Sequence, residues 1–265
     1  MYLDYTVTMK QNPRPVLSAA PRYLPGSRKR SILLIHGWTG YPGQLYFLGE
    51  ELQKAGYTVM IPRLPGHGTS TGDFLASTAR DWIRRAEDAY MDLSIECGSP
   101  VVAGISMGAL LALHLGAVFQ PSGVIAAAPA MTFKNPGVCL SPLLKYLIKE
   151  IPVVSESESD DPEENYIRKE YWSSRRLSAV AELLKVRRRV RKELIHVDAP
   201  LLLLEAGQDE LVTPAAVSRT AGMVSSKDSI TRLFPGSGHQ LFNGQEKQAV
   251  AEEIIGWLKA RFSGE

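Results

Sequence analysis

The sequence predicts one doubly wound α/β domain, with helices on both faces of a mostly parallel sheet and one small inserted cap. Three observations predict this fold class. Short unbroken apolar blocks, typical of strands buried on both faces, alternate with segments of helical spacing. No internal repeat interrupts this order. A chain of 265 residues, 45% of them apolar and 22% charged, is also long enough to bury one substantial core.

Each predicted element rests on its hydrophobic spacing. Predicted strands are short apolar runs, and predicted helices carry apolar residues three or four positions apart. Thr78 with Asp81 three residues later has the pattern of a helix cap, and Gly56 is a typical residue to end a helix. The elements predicted in chain order are strand 31–35, helix 42–55, strand 57–61, helix 78–96, strand 101–103, helix 109–118, strand 124–128, helix 178–193, strand 201–204, strand 230–234 and helix 250–262.

Regular alternation stops between residues 131 and 176. This stretch carries an apolar segment at 140–151 and an acidic run at 156–164. Inserted segments between sheet elements commonly become lids over sites at strand ends, so residues 132–176 are expected to form a cap. The α/β core is then expected to comprise residues 1–131 and 177–265.

Composition excludes several classes of partner. Thirty basic and 28 acidic side chains leave a formal charge of +2, so no nucleic-acid partner is expected. Cys97 and Cys139 lack metal-ligand spacing and are expected to be isolated thiols, with no metal site. Charged residues interrupt the apolar runs near the N-terminus, and no apolar run is long enough to span a bilayer. We therefore expect a cytoplasmic monomer or homodimer without stable membrane insertion.

The pattern Gly-x-Ser-x-Gly, which is associated with nucleophilic serines, occurs at residues 68–72 and 104–108. The chemistry needs a sharp turn from a strand into a helix, with glycines that let the strained backbone pass its neighbours. Only Ser106 follows a predicted strand and precedes a predicted helix. Ser70 lies in a loop rich in glycine, where turn formation explains it. Ser106 is therefore the predicted nucleophile.

Two backbone N–H groups are predicted to form an oxyanion hole. Met107 begins the helix after Ser106, and the free N–H groups of a helix N-terminus favour negative charge. The second donor must come from the loop His-Gly-Trp-Thr-Gly at 36–40, where we nominate the N–H of Trp38. The alternative is that this loop only makes a turn. The Trp38 side chain is expected to line the pocket.

A serine hydroxyl needs an imidazole within hydrogen-bond reach, and the imidazole needs a carboxylate to orient it. His239 fits best, because it follows the last predicted strand; the alternative is an ordinary surface-loop histidine. His36 and His67 lie in loops before the nucleophile, and His114 lies within an apolar helix, where packing explains it. His196 follows a helix end. The predicted general base is His239.

The carboxylate is expected after a strand that lies between nucleophile and base in the chain. Asp209 follows strand 201–204 in a glycine-containing loop and suits this role better than Glu205, which adjoins the strand. Asp198 and Glu210 are expected at the surface. The chain order is then nucleophile, acid, base. The predicted triad is Ser106, Asp209 and His239.

These motifs resemble the α/β-hydrolase family, and more narrowly the bacterial carboxylesterases and monoacylglycerol lipases. The resemblance implies the α/β-hydrolase fold and supports the same triad, with Trp38 and Met107 as oxyanion donors. Trp38 departs from the pattern, because these esterases more often have Phe there, and the predicted cap is longer than in small bacterial lipases. The resemblance spans residues 16–131 and 178–260. It is carried by residues 33–40, 56–69, 81–82, 104–108, 207–209 and 238–239.

The predicted function is hydrolysis of carboxylic esters through an acyl-enzyme on Ser106, without a cofactor. Small-molecule esters with short to medium acyl chains, or monoacylglycerol, are the expected substrates, because Trp38, Met107 and segment 140–151 are expected to form an apolar acyl pocket. One alternative is a thioesterase, lactonase or carbon–carbon bond hydrolase on the same triad. A second is a non-catalytic ligand-binding protein of this fold, and a third is membrane association through the apolar part of the cap.

Overall fold

A mixed sheet runs through the centre of the protein. The computed structural model describes residues 15–153 and 162–262. The strands are β1 (Arg22–Leu24), β2 (Ser27–Ile35), β3 (Tyr57–Ile61), β4 (Val101–Ile105), β5 (Gly123–Ala127), β6 (Glu150–Pro152), β7 (Ser174–Arg176), β8 (Leu201–Ala206) and β9 (Ser229–Phe234). In this described part, seven strands form one sheet in the order β1-β3-β2-β4-β5-β8-β9, and β6 pairs with β7. Within the large sheet only β1 pairs antiparallel, so the predicted mostly parallel sheet is confirmed.

Helices cover both faces of the sheet. They are α1 (Tyr46–Lys54), α2 (Thr71–Ala76), α3 (Ala79–Cys97), α4 (Met107–Phe119), α5 (Ser141–Leu144), α6 (Pro162–Ile167), α7 (Leu177–Glu193), α8 (Ala215–Ala221) and α9 (Lys247–Phe262). Apolar residues of α3, α4 and α7 share one core cluster, and those of α1 and α9 share the other. The doubly wound arrangement predicted from the sequence is therefore confirmed.

Strand β2 shows why the sheet is buried on both faces. Ile32 and Leu34 belong to the core cluster that includes α1 and α9, whereas Leu33 and Ile35 belong to the cluster that includes α3 and α4. All four side chains are fully buried. Successive residues of a strand point to opposite faces, so a two-sided core requires an unbroken apolar run.

Outside residues 132–176, the strand β1 and the helices α2 and α8 were not predicted from the sequence. Strand β1 has three residues, α2 has six and α8 has seven. Segments this short contain too few positions for a hydrophobic period to distinguish them from loops. Helix α3, in contrast, begins as predicted, because Thr78 and Asp81 form a capping box in which the Asp81 carboxylate accepts the N–H of Thr78 at 2.9 Å.

Residues 132–176, between β5 and α7, are called the inserted segment below and contain α5, β6, α6 and β7. The apolar residues at 140–151 lie largely at the surface, with 53% of Leu140 and 85% of Leu147 exposed. Most of the acidic run at 156–164 lies outside the described residues, which omit 154–161.

The C-terminal part of the inserted segment is hydrogen-bonded to the loop before α2. The Tyr171 hydroxyl accepts the N–H of Thr69 at 2.7 Å and donates to the carbonyl oxygen of Gly66 at 3.0 Å. The Tyr166 hydroxyl donates to the carbonyl oxygen of Thr69 at 2.6 Å. These contacts attach this part of the segment to the sheet domain.

The part of the chain that the structure describes has no helix long and apolar enough to cross a membrane. Cys97 and Cys139 are free thiols. Within the same described ranges, no three His, Cys, Asp or Glu side chains are grouped so that they could hold a metal ion.

Candidate active site

Ser106 occupies the tight turn between β4 and α4. Its backbone has φ 58° and ψ −113°, a conformation that residues other than glycine rarely adopt. Its N–H donates to the carbonyl oxygen of Ala127 at 2.9 Å, and its own carbonyl accepts the N–H of Leu110 at 3.2 Å. The neighbouring strand and the helix thus hold the strained residue from both sides.

Two glycines make this turn possible. A Cβ atom at Gly104 would overlap the backbone of Gly108, and one at Gly108 would overlap the carbonyl oxygen of Ile35. Any other residue at either position would displace the backbone. Ser70, in the second Gly-x-Ser-x-Gly pattern, caps α2 instead, where its Oγ accepts the N–H of Asp73 at 3.3 Å. The two patterns therefore have different structural roles.

Asp209 and His239 meet at the carboxyl ends of β8 and β9. Nδ1 of His239 lies 2.7 Å from Oδ2 of Asp209, and both residues are buried. The other carboxylate oxygen of Asp209 accepts the N–H groups of Leu211 and Val212, both at 2.8 Å. This arrangement joins the predicted acid to the predicted base.

The pKa of Asp209 reflects two opposed effects. Burial raises this pKa, but the hydrogen bond and charge of His239 and the N–H groups of Val212 and Leu211 outweigh burial and lower it below the usual value. The carboxylate is therefore ionised at neutral pH and accepts a hydrogen bond from Nδ1–H of His239. A neutral His239 ring then leaves Nε2 without a proton, as a general base requires.

Ser106 and His239 line the same cavity, which has a volume of about 750 Å³. Trp38 lines this cavity as expected, and so does Glu210, whose carboxylate accepts the backbone N–H of His239 at 3.2 Å. The apolar side chains of the lining include Phe133, Val138, Val153, Trp172, Val180 and Leu183.

Two expectations about the pocket lining are wrong. The Met107 side chain is fully buried in the core cluster beneath the turn and does not line the cavity. Segment 140–151 does not line it either, because many of its apolar side chains face outward at the surface. The inserted segment still contributes apolar lining, but from Val138 and Val153 on either side of that stretch.

Hydrogen bonds of His36 stabilise the loop beside Ser106. It is fully buried, with Nδ1 3.0 Å from the carbonyl oxygen of Gly37, and its Nε2 accepts the N–H of Leu64 at 3.1 Å. Burial lowers the pKa of His36 to about 4, so the ring is neutral at pH 7 and carries its proton on Nδ1. A Cβ atom at Gly37 would lie 3.3 Å from Cβ of Ser106, so the loop passes directly beside the serine.

Trp172 contacts the same loop and was not predicted from the sequence. Its indole N–H donates to the carbonyl oxygen of Thr39 at 3.3 Å, and its ring lines the cavity. Thr39 adjoins Trp38 and has a positive φ of 57°. Trp172 lies in the inserted segment, where neither a motif nor regular hydrophobic spacing could have indicated its role.

The remaining histidines do not line the cavity. The ring of His67 is buried 5.0 Å from that of His36. His114 is buried between the carboxylates of Glu193 at 2.7 Å and Glu87 at 3.0 Å, so it joins three helices as a packed residue. His196 is exposed at the end of a 3₁₀ turn.

Known proteins resemble this chain over most of its length. The thermostable monoacylglycerol lipase of Bacillus sp. (strain H-257) is 29% identical over 222 residues, which cover 83% of this chain and 86% of the relative. The carboxylesterase of Bacillus subtilis (strain 168) is 23% identical over 231 residues, covering 87% and 92%. A solved structure reported with LipS and LipT, two metagenome-derived lipolytic enzymes, has a TM-score of 0.83 at 24% identity and covers 93% of this chain and 100% of that one.

The sheet order, the helices on both faces and these relatives define a lipase-like hydrolase with the α/β-hydrolase fold. The chain belongs to the Hydrolase_4 family, described as serine aminopeptidase S33, whose profile matches residues 26–246. The resemblance inferred from the sequence motifs is thereby confirmed.

Proposed function

We propose that the protein hydrolyses carboxylic esters through an acyl-enzyme on Ser106, with Asp209 and His239 completing a catalytic triad. The observation that carries this proposal is the convergence of three distant segments. Ser106 and His239 line one cavity, and His239 lies 2.7 Å from a buried Asp209. The named activities of the two Bacillus relatives support an ester as substrate.

In the first step, Oγ of Ser106 attacks the ester carbonyl carbon while Nε2 of His239 takes the hydroxyl proton. The tetrahedral intermediate collapses, the proton passes to the leaving alkoxide, and the alcohol departs. Water, deprotonated by the same imidazole, then attacks the acyl-enzyme. The second tetrahedral intermediate collapses, the imidazolium returns its proton to Oγ of Ser106, and the carboxylic acid is released. Asp209 stays ionised throughout and stabilises the imidazolium that forms in each step.

The backbone N–H groups of Met107 and Trp38 are the proposed oxyanion donors. Met107 is the first residue of α4, where an N–H has no partner within its own helix. Trp38 lies in the loop that passes beside Ser106 and is braced by His36. Donors fixed in advance stabilise the developing oxyanion without reorganisation during the reaction.

We further propose that residues 132–176 act as a cap on a core formed by residues 1–131 and 177–265. Val138, Val153 and Trp172 place side chains of the segment in the cavity wall, which supports this division. A cap that excludes water from an apolar cavity strengthens the electrostatic interactions of the reaction.

Replacing Trp172 with phenylalanine tests whether the cap also positions the oxyanion loop. Phenylalanine keeps an aromatic ring, although a smaller one, but loses the hydrogen bond to Thr39, and such a bond is worth about 1 kcal/mol. We expect kcat to fall about threefold to tenfold with little change in KM. Trp257→Phe is the matched control, because the Trp257 indole N–H has no hydrogen-bond partner among the described residues. An equal loss of kcat in both variants would contradict the prediction.

The proposed function is tested with 4-nitrophenyl esters graded by acyl length, from acetate upwards, together with a monoacylglycerol. Each methylene that enters the apolar cavity contributes up to about 0.8 kcal/mol, so kcat/KM should rise with length by up to about fourfold per methylene. The rise should end when the cavity is full. Absence of hydrolysis across the whole panel would refute the proposal.

A further inference from the structure

The cavity also carries two positively charged side chains that the proposed hydrolysis does not use. Lys134 and Arg175 both line it and are called the cationic pair below. Among the residues that the structure describes, neither side chain has a hydrogen-bond or ion-pair partner. The pair is therefore available to a bound molecule.

Strand β7, which pairs antiparallel with β6, places Arg175 in the wall of the cavity. The next residue, Arg176, donates to the carbonyl oxygen of Glu170 at 2.9 Å and lies 3.6 Å from the carboxylate of Glu150. Successive residues of a strand point to opposite sides, so Arg176 supports the pairing of β6 with β7 while Arg175 lines the cavity. Arg175 is half-buried there.

Lys134 is held near the predicted acid. Its backbone N–H donates to the carbonyl oxygen of Leu211 at 3.0 Å, so it lies beside the loop that follows Asp209. Of the described residues that line the cavity, Glu210 is the one carboxylate, and it already accepts the backbone N–H of His239. The described part of the lining therefore holds two cations and one carboxylate, and that carboxylate already accepts a hydrogen bond.

The rest of the lining determines what these charges can bind. Most of the neighbouring side chains are apolar, and a charge interacts more strongly where water is partly excluded. A guanidinium presents a planar fork of donors that matches a carboxylate or phosphate in two parallel hydrogen bonds. An ester that also bears such a group would satisfy both the apolar wall and the cations.

We propose that the cationic pair binds an anionic group of the substrate, so that the enzyme prefers esters carrying a carboxylate or phosphate over neutral esters of the same size. This inference rests on the proposed ester hydrolysis at Ser106. Arg175 makes the directional contact, and the exposed Lys134 adds long-range attraction near it.

The test compares anionic esters with neutral counterparts. One arm uses the 4-nitrophenyl monoesters of adipic acid and of its monoamide, with the neutral hexanoate as reference. The other arm uses octanoylglycerol and octanoylglycerol phosphate. The first places the anion on the acyl side and the second on the alcohol side, so the arms identify which part of the ester the pair contacts.

We expect wild-type kcat/KM to be higher for the charged member of at least one arm. Arg175→Gln should lower that value about tenfold to hundredfold, and Lys134→Gln about twofold to threefold, while hydrolysis of the neutral esters changes less than twofold. Added salt should reduce the preference. Arg188→Gln, which removes an exposed arginine of α7 outside the cavity, is the matched control and should change neither value.

Equal activity on charged and neutral esters, or an equal loss on both in Arg175→Gln, would overturn the inference and leave ester hydrolysis standing. Failure of the wild type on every ester would refute the proposed function and this inference with it. Circular dichroism of each variant verifies that the fold is retained.

Discussion

Ser106→Ala is expected to lower kcat for ester hydrolysis by on the order of 10³-fold or more while the fold is retained. The hydroxyl at the turn between β4 and α4 is the proposed attacking group. Alanine has the same Cβ atom, so the strained backbone and its hydrogen bonds to Ala127 and Leu110 remain possible. Steady-state kinetics on 4-nitrophenyl butyrate would measure the loss, and a fluorophosphonate should label only the wild type.

Ser70→Ala is the matched control, because Ser70 stands in the same Gly-x-Ser-x-Gly pattern. Its Oγ caps α2 through the N–H of Asp73, so its removal should cost about 1 kcal/mol of stability and leave kcat nearly unchanged. Full activity in Ser106→Ala, or fluorophosphonate labelling of that variant at the wild-type rate, would exclude Ser106 as the nucleophile.

Asp209→Asn is expected to lower kcat by up to about 10⁴-fold. The N–H groups of Leu211 and Val212 both point at one oxygen of the side chain, so they should orient the amide with its oxygen toward them. The amide NH₂ then faces Nδ1 of His239, which can only accept. The ring proton moves to Nε2, and His239 can no longer take the proton of Ser106.

The competing carboxylates supply the controls for this variant. Glu205 lies within β8, and the hydrogen bond that the described residues offer the Glu210 carboxylate comes from the backbone N–H of His239. Glu205→Gln and Glu210→Gln should each change kcat less than tenfold. If Asp209→Asn lost less than tenfold while one of these variants lost much more, the acid would have to be reassigned. Measurement of kcat across a pH series would separate the two causes. A changed tautomer of His239 should alter the dependence of kcat on pH, whereas a loss of folded protein should lower kcat equally at every pH.

The sequence predicted the sheet because parallel strands buried on both faces need unbroken apolar runs, as Ile32 and Leu33 illustrate on opposite faces. The position of Ser106 was also predictable, since Gly104 and Gly108 are required by contacts that any Cβ atom would violate. The pairing of His239 with Asp209 was predictable because each residue follows a predicted strand and because the chain order is nucleophile, acid, base. The sheet, the serine turn and the acid–base pair are therefore predictable from local sequence patterns and from the order of the strands.

The remainder of the site depends on contacts between distant segments that leave no periodic signal. Trp172 reaches Thr39 across a separation of 133 residues, and Arg175 enters the cavity through a three-residue strand. The apolar residues at 140–151 were expected inside the pocket because hydrophobicity alone does not show which face of a short element is covered. The inserted segment is therefore the part of the protein whose structure is least predictable from its sequence.

The neutral, buried ring of His36 links catalytic geometry to acid sensitivity. An unfolded chain takes up a proton on this residue near pH 6.5, whereas the folded protein resists doing so until about pH 4. Between these values the unfolded state binds more protons, so the free energy of unfolding falls as the solution is acidified, by on the order of 3 kcal/mol for this residue. The same imidazole that stabilises the loop beside the nucleophile is therefore expected to make the folded protein less tolerant of acid.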